Sequence, residues 1–355
     1  MNNFQPLNVL SFGAGAIGTY IGGSLAAAGH RVVFIEQPAA SHKLAQNGIS
    51  LDLGIDPRRK EHSLIHLTVP QVQFVDSLEA AMELGPFDVA LFALKSFDTE
   101  PVLAGLGKLA AKLPPILCLQ NGVSNEEVIA GFVGSDNVLF GTVTSAIGRK
   151  DVGSIVLEKL RGVGIAQGHP MSEKLLEAMD AAYLNPKIFA DARAMKWSKM
   201  LTNLLANATS AILNQTPAQI FANSVTANIE IRQIRECLEV MRKLGIEVVN
   251  LPGTPVKALA FAMGLPLWLS QPFLKQAIGS GRGAKMPSFH IDLYSGRKKS
   301  EVDFLNGAVS KAGQGCGVAT PVNGSLRDIL AGLTDGSIPL EKYENNVQEL
   351  LKEIG

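Results

Sequence analysis

The sequence is short of several things that would fix its chemistry at once. It has three cysteines, Cys118, Cys237 and Cys316, far apart and odd in number. Such a set makes no disulfide framework and has no metal spacing, so reduced thiols in a cytoplasmic protein are expected. Neither sign of charge dominates: 32 basic residues face 32 acidic ones, for a formal net charge of zero. A neutral chain lacks the electrostatic footprint that nucleic acid or an anionic membrane surface calls for. Long apolar runs are missing too. The most membrane-like stretch, Ala258–Leu269, is broken by Gly264 and Pro266 and is too short to span a bilayer. It reads as buried helices or as an exposed patch for a homodimer. Met1–Pro6 is polar and the apolar run after it is only strand-length, so no signal peptide is expected. No Walker-type loop, metal cluster or nucleophilic triad stands out.

What is present begins at Gly13-Ala14-Gly15-Ala16-Ile17-Gly18, a G-x-G-x-x-G signature between an apolar run, Leu7–Phe12, and a small-residue helix, Ala16–Ala28. Gly29-His30 ends that helix, and Arg31–Glu36 supplies a second strand that finishes in a carboxylate. In this setting the first glycine permits the tight turn. The second lets a pyrophosphate approach the backbone, and the third lets the helix pack on the sheet. The helix N-terminus then offers N–H groups and a positive dipole end to phosphates. The pattern predicts a dinucleotide site with Gly13, Ala14, Gly15, Ala16, Ile17, Gly18 and Glu36 on its cofactor side.

At 355 residues the chain can support two domains. Strand and helix patterns alternate first: strands at Phe87–Leu94, Pro115–Leu119, Val138–Val143, Ile155–Leu157, Gly162–Ile165 and Lys187–Phe189, with helices at Thr99–Leu113 and Ser172–Tyr183. Asp56–His62 reads as a loop or short hairpin. From Asp191 the patterns are helical: Asp191–Leu213, Asn223–Leu244, Lys257–Gly264, a helix from Ser288, then Val302–Gly313 and Leu340–Ile354. The expectation is an α/β Rossmann-type dinucleotide-binding domain over residues 1–188 and an all-α domain over 189–355 for substrate binding and dimerisation. The site is expected in the cleft between them, outside the carboxyl ends of the strands.

Four sets of residues could carry chemistry. Lys95 ends one predicted strand and Asn121 another, although Lys95 also suits a solvated strand end and Asn121-Gly122 an ordinary turn. Lys199, Asn203 and Asn207 fall within about 80° of one another on the predicted helix Asp191–Leu213, with Ser210 in the same stripe. Asparagine is a poor interior helix residue, so such a stripe either faces water or serves a site. Finally, Ser300-Glu301-Val302-Asp303 has the spacing of a capping box, in which Glu301 could simply complement a helix dipole.

Together the motifs resemble the ketopantoate reductase (2-dehydropantoate 2-reductase) family. They are GAGAIG at Gly13–Gly18, ALKSFD at Ala93–Asp98, LQNGV at Leu119–Val123, GTVTSA at Gly141–Ala146, WSKMLTNLLAN at Trp197–Asn207 and SEVDFLNG at Ser300–Gly307. The resemblance implies NADPH-dependent reduction of a 2-oxo acid without a metal. It makes Lys199 the proton donor to the carbonyl oxygen and Glu301 an acid at the reaction centre that touches substrate or cofactor. Asn203, Asn207 and Ser288 become substrate-binding residues. Lys95 and Ile147 join the cofactor side, and Asn121 serves both. The chemistry is physically sensible, because an ammonium placed where hydride addition builds negative charge both stabilises and protonates the oxygen. Burial in the cleft would lower the lysine pKa and a nearby Glu301 would oppose that.

Three departures stand out. Family members that prefer NADPH usually carry an arginine just past the second strand. Here Gln37 stands at that place behind Glu36, which favours NADH unless Arg58, Arg59 or Lys60 folds over. Gly245–Pro287 is long and apolar, with one extra residue ahead of Glu301, and a further family asparagine falls at or near Pro217. The sequence therefore predicts reduction of 2-dehydropantoate to pantoate. Its alternatives are reduction of another branched 2-oxo acid and a non-catalytic dinucleotide-binding redox sensor.

Overall fold

The computed structural model describes residues 5–59, 62–266, 268–272 and 285–354, so Lys60 and Leu267 lie outside the described residues. The chain divides into two compact units. Unit 1 holds Met1–Gln120, Asn125–Lys196 and Leu251–Thr254; unit 2 holds Asn121–Ser124, Trp197–Asn250 and Pro255–Gly355. The division falls inside a helix, past the 188/189 boundary drawn from sequence, and two short segments sit with the opposite unit.

In unit 1, β1 (Asn8–Phe12), α1 (Ala16–Ala27) and β2 (Arg31–Ile35) form the opening β-α-β unit. Then come α2 (Pro38–Asn47), β3 (Ile49–Asp52), β4 (Leu64–Leu67), β5 (Val72–Val75), α3 (Leu78–Glu83) and β6 (Val89–Phe92). The unit continues through α4 (Thr99–Gly105), β7 (Ile116–Cys118), α5 (Asn125–Val133), β8 (Val138–Val143), β9 (Ala146–Asp151), β10 (Ser154–Lys159), β11 (Val163–Ala166), α6 (Ser172–Ala181) and β12 (Pro186–Phe189). Eight strands make one sheet in the order β12-β11-β8-β7-β6-β1-β2-β5, parallel except that β11 runs against β8. Strands β6 and β7 at its centre are apolar at every position because both faces are covered; all of their residues are buried. One core cluster lies on each face.

A second sheet, β4-β3-β10-β9, was not expected. Ile155–Leu157 belongs to it and does not close the main sheet. Helix α1 packs on β1 and β2 on one side and on β3, β4, β9 and β10 on the other. That placement explains its small residues. A Cβ at Gly22 would come within 2.8 Å of Phe34, and one at Gly23 within 2.8 Å of Leu51. The 56–62 stretch carries a 3-10 turn at Pro57–Arg59, and Thr99–Leu113 splits into α4 and a 3-10 segment.

Strand β1 lies between β2 and β6, parallel to both. The chain leaves β1 in one direction and later returns on its other side. The carboxyl ends of β1 and β6 therefore open the crevice where such sheets take ligands.

Helix α7 (Ala192–Leu204) runs from unit 1 into unit 2, which continues with α8 (Asn207–Leu213), α9 (Pro217–Ala222), α10 (Ser224–Lys243) and α11 (Val256–Gly264). Four further helices are α12 (Ser288–Tyr294), α13 (Asn306–Cys316), α14 (Pro321–Asp335) and α15 (Val347–Ile354). Helix α8 packs on α12 and α14, and α10 packs on α9, α11, α13 and α14. The single helix expected over Asp191–Leu213 is broken: Ala206 takes a left-handed conformation, φ 54° and ψ 17°. That conformation costs an L-residue about 1–2 kcal/mol. The helices expected over Val302–Gly313 and Leu340–Ile354 likewise split into a 3-10 turn followed by α13 and α15. Phe261, Trp268 and Leu269 of the apolar stretch are exposed. Among the described residues no helix is long and apolar enough to cross a membrane.

Candidate active site

The glycine turn has the geometry its spacing implies. Gly13 has φ 95°, and its N–H donates to the Ile35 carbonyl at 3.0 Å. A Cβ on Gly18 would lie 1.9 Å from the Gly13 carbonyl oxygen, so nothing larger fits. Gly15 differs, with ordinary φ −70° and no neighbouring atom within 4 Å of where a Cβ would sit. Neither backbone strain nor packing demands a glycine there. The space above Gly15 is open at the α1 N-terminus, and a pyrophosphate would fit that cradle. Thr19 Oγ1 donates to the Ala14 carbonyl at 2.8 Å and Ser11 Oγ to that of Gly13 at 3.2 Å, which braces the turn from beneath. Ala14 is buried, and Ala16 and Ile17 pack against the core. The Glu36 carboxylate reaches back from the end of β2. It accepts the Ala14 N–H at 2.6 Å and its neighbour Gln37's at 3.2 Å.

Beside this turn, Lys95 sits half-buried in the loop after β6, ahead of a 3-10 turn at Ser96–Asp98. Gln120 holds that loop, its Nε2 donating to the Leu94 carbonyl at 3.0 Å and to Thr99 Oγ1 at 2.8 Å. Asn125 Nδ2 donates to Ser96 Oγ at 3.1 Å. Ile147 lies in β9 of the small sheet, packed with Ala16 and Ile17 against the same core cluster.

Sequence reasoning passed over Lys196. Its ammonium is 3% exposed, lies 2.6 Å from Glu126 Oε1 and donates to the Gln120 carbonyl at 2.8 Å. Burial pulls the ammonium pKa down, but Glu126, helped by Cys118, overrides it and holds it above the ordinary value. Removing one partner of such a pair costs about 3–5 kcal/mol. Its only sequence trace was a lysine in an otherwise apolar turn of helix, Ala194-Met195-Lys196-Trp197.

In unit 2 the fold links four residues drawn from far apart in the chain. Asn203 Nδ2 donates to Asn121 Oδ1 at 3.1 Å, and Asn207 Nδ2 donates to the Asn203 carbonyl at 3.0 Å. Asn207 also meets Ser288 Oγ at 3.4 Å and accepts the Phe289 N–H at 3.1 Å, which caps α12. Asn121 and Ser288 are exposed, Lys199 and Asn203 half-buried, and Asn207 buried. Ser210, placed in the same stripe by sequence, is buried in α8. The row therefore does not form one face of one helix. Asn203 closes α7 and Asn207 opens α8 across the break.

Glu301 is 4% exposed at the start of the 3-10 turn Val302–Phe304, unlike a solvated helix-dipole acid. The capping box expected from Ser300 to Asp303 does not form. Ser300 Oγ accepts the Val302 N–H at 3.2 Å, while Asp303 pairs with Arg327 at 2.6 Å. The capping box that does form is Thr216 with Gln219, directly around Pro217 at the first position of α9.

Two family models match the chain, "Ketopantoate reductase PanE/ApbA" over residues 9–168 and "Ketopantoate reductase PanE/ApbA C terminal" over residues 191–334. The chain belongs to the ketopantoate reductase family. Among the relatives of this oxidoreductase family, the 2-dehydropantoate 2-reductase of Archaeoglobus fulgidus is 25% identical over 328 residues, 91% of this chain and 97% of that protein. The Lactococcus lactis subsp. lactis enzyme of the same name is 24% identical over 317 residues, 87% of this chain and 92% of that protein. The fold is that of the PanE/ApbA family ketopantoate reductase from Ralstonia eutropha JMP134, with TM-score 0.76 at 23% identity over 92% of this chain and 99% of that one. It is also that of D-mandelate dehydrogenase in a ternary structure with NADH and anilino(oxo)acetate, with TM-score 0.73 at 21% identity over 92% of this chain and 99% of that one.

Among the described residues of the 56–62 stretch, neither arginine stands in for the one absent at Gln37. Arg58 is engaged by Asp56 at 2.7 Å, Asn185 Oδ1 at 2.5 Å and the Tyr183 carbonyl at 2.6 Å, and Arg59 by the Ala182 carbonyl. Among the described residues no group of three or more His, Cys, Asp or Glu side chains gathers as a metal site.

Proposed function

We propose that this ketopantoate reductase family member reduces 2-dehydropantoate to pantoate, with NADH preferred over NADPH. The observation that carries the reading is the hydrogen-bonded row Asn121–Asn203–Asn207–Ser288. It collects in one unit the residue types that hold the carboxylate and hydroxyl groups of a 2-oxo acid without adding charge. The names of the relatives support the substrate. Glu36 at the end of β2, with Gln37 beyond it, supports the cofactor preference.

When bound, the reduced dinucleotide supplies hydride. The N–H groups of Gly15, Ala16, Ile17 and Gly18 at the α1 N-terminus would hold its phosphates against the turn shaped by Gly13 and Ala14, Glu36 would hold the adenosine ribose, and Lys95, Asn121, Ile147 and Glu301 would complete the cofactor side. Lys199 Nζ gives its proton to the substrate carbonyl oxygen as negative charge grows there. Glu301 is the acid at the reaction centre. Asn121, Asn203, Asn207 and Ser288 fix the substrate's orientation, which removes rotational freedom before the reaction.

The test is a steady-state panel of 2-oxo acids, each tried with NADH and with NADPH, on wild type and Lys199→Ala. The expected result is highest kcat/KM with 2-dehydropantoate and NADH. Lys199→Ala should lose about 10²- to 10⁴-fold in kcat while its cofactor Kd is unchanged. A panel led by another branched 2-oxo acid would move the assignment to that substrate. Near-normal turnover by Lys199→Ala would refute the proton-donor role. Dinucleotide binding without oxidation by any member of the panel would make the protein a redox sensor.

A further inference from the structure

Unit 2 buries a carboxylate that the reaction above does not use. Glu230 lies on α10 with no exposed surface, at a spacing otherwise occupied by core residues such as Ala227, Ile234 and Cys237. Its hydrogen bonds converge on the break between α7 and α8. Glu230 Oε2 accepts the Ala206 N–H at 2.6 Å, and Oε1 accepts the Thr209 hydroxyl. Gln233, one turn on, donates Nε2 to Glu230 Oε2 at 2.7 Å and to the Leu204 carbonyl at 3.4 Å. The pair thus satisfies both kinds of main-chain group that the break frees, an N–H at Ala206 and a C=O at Leu204. An uninterrupted helix would need neither side chain there.

The network also extends the other way. Gln233 Oε1 accepts Asn306 Nδ2 at 3.0 Å, and the same amide meets Asn323 Oδ1 at 3.0 Å. Asn323 and Glu236 close it, the latter accepting the Val322 and Asn323 N–H groups at 2.8 and 2.9 Å at the start of α14. Asn306 opens α13, five residues after Glu301. Glu230, Gln233, Asn306 and Asn323 have no exposed surface.

We propose that Glu230 is a positioning residue for substrate. It imposes the left-handed Ala206 break that redirects Asn207 toward Ser288 and α12, and through Gln233 and Asn306 it ties that break to the segment carrying Glu301. The proposal rests on the reading of Asn203, Asn207 and Ser288 as substrate-binding residues. A core-filling role predicts lost stability alone; a positioning role predicts a selective loss of substrate affinity in folded protein.

The experiment uses Glu230→Gln, which keeps the shape but turns one acceptor into a donor facing other donors. Thr209→Val serves as an isosteric second variant that deletes a single hydroxyl. KM for the 2-oxo acid is measured beside Kd for NADH by fluorescence, with circular dichroism reporting the fold. Glu230→Gln should raise KM at least tenfold and Thr209→Val about threefold, each with the NADH Kd within twofold of wild type. Adding Ala206→Gly to Glu230→Gln, so that the left-handed residue is unstrained, should recover much of the lost KM. A folded variant of either kind whose KM stays within twofold of wild type overturns the proposal. Should Glu230→Gln fail to fold, the Thr209→Val result decides. Folded Asn203→Ala and Asn207→Ala variants whose KM stays at the wild-type value would instead sink the reading beneath it, so the two failures are distinguishable.

Discussion

On the proposed reading, Glu36 sets a charge where the adenosine end of a dinucleotide belongs. Its carboxylate is pinned by the Ala14 N–H at 2.6 Å, so it cannot swing away without giving up a charge-assisted hydrogen bond. A 2′-phosphate about 5 Å from that carboxylate meets repulsion on the order of 3 kcal/mol at an effective dielectric near 20. Arg58 and Arg59, held by Asp56 and the 182–185 turn, are not spare cations for that phosphate. Wild type should therefore show a kcat/KM at least tenfold higher with NADH than with NADPH. Glu36→Arg, or Gln37→Arg to a lesser degree, should reverse the order. Kinetics with both cofactors at low ionic strength would check this, and a wild-type preference for NADPH would overturn it.

At the level of elements, the three glycines of one turn separate into different physical requirements. Gly18→Ala forces a methyl onto the Gly13 carbonyl, 1.9 Å away, so it should lower thermal stability and cofactor affinity together. Gly15→Ala places its methyl in open space at a φ alanine accepts, so Tm should hold within a few degrees while the dinucleotide Kd rises at least tenfold. Melting curves and cofactor titrations on the two variants would show it; a Gly15→Ala protein that binds NADH normally would remove the phosphates from this turn. The turn and its β-α-β setting were legible in the sequence because every contact that defines them is local. The α7–α8 break was not, because Leu204-Leu205-Ala206-Asn207 contains neither glycine nor proline, and the acceptor that stabilises a left-handed alanine lies 24 residues further on. The small sheet was hidden for the same reason, since β10 pairs with β3 from about a hundred residues earlier. The start of α14 was legible and overlooked: Thr320-Pro321 is an ordinary helix opening. In the candidate site the residue types of Lys199, Asn203, Asn207 and Ser288 could be read from the motifs. The hydrogen bonds that join Asn203, Asn207 and Ser288 depend on the break and could not.

Across the whole molecule, Glu230 connects that break to pH. Burial pushes its carboxyl up to about 7 from an ordinary 4.5, against the lowering effect of hydrogen bonds from Thr209, Ala206 and Gln233. Between those two values the folded protein holds a proton that the unfolded chain has released, so proton uptake favours the fold as pH falls. The sign is opposite to that of surface carboxylates such as Asp52, which Lys150 holds below the usual 3.8 and whose stabilisation disappears only in stronger acid. Comparison with Glu230→Gln, which cannot titrate, isolates the buried group from the rest. Stability of wild type relative to Glu230→Gln should rise by about 2 kcal/mol as pH is lowered from 7.5 to 5, and the gain should vanish again as pH climbs through 7. Urea denaturation of both proteins at half-unit pH steps measures this difference directly. A gap that stays constant across the window would mean that Glu230 titrates near its ordinary value, and hence that water reaches the α7–α8 break in solution.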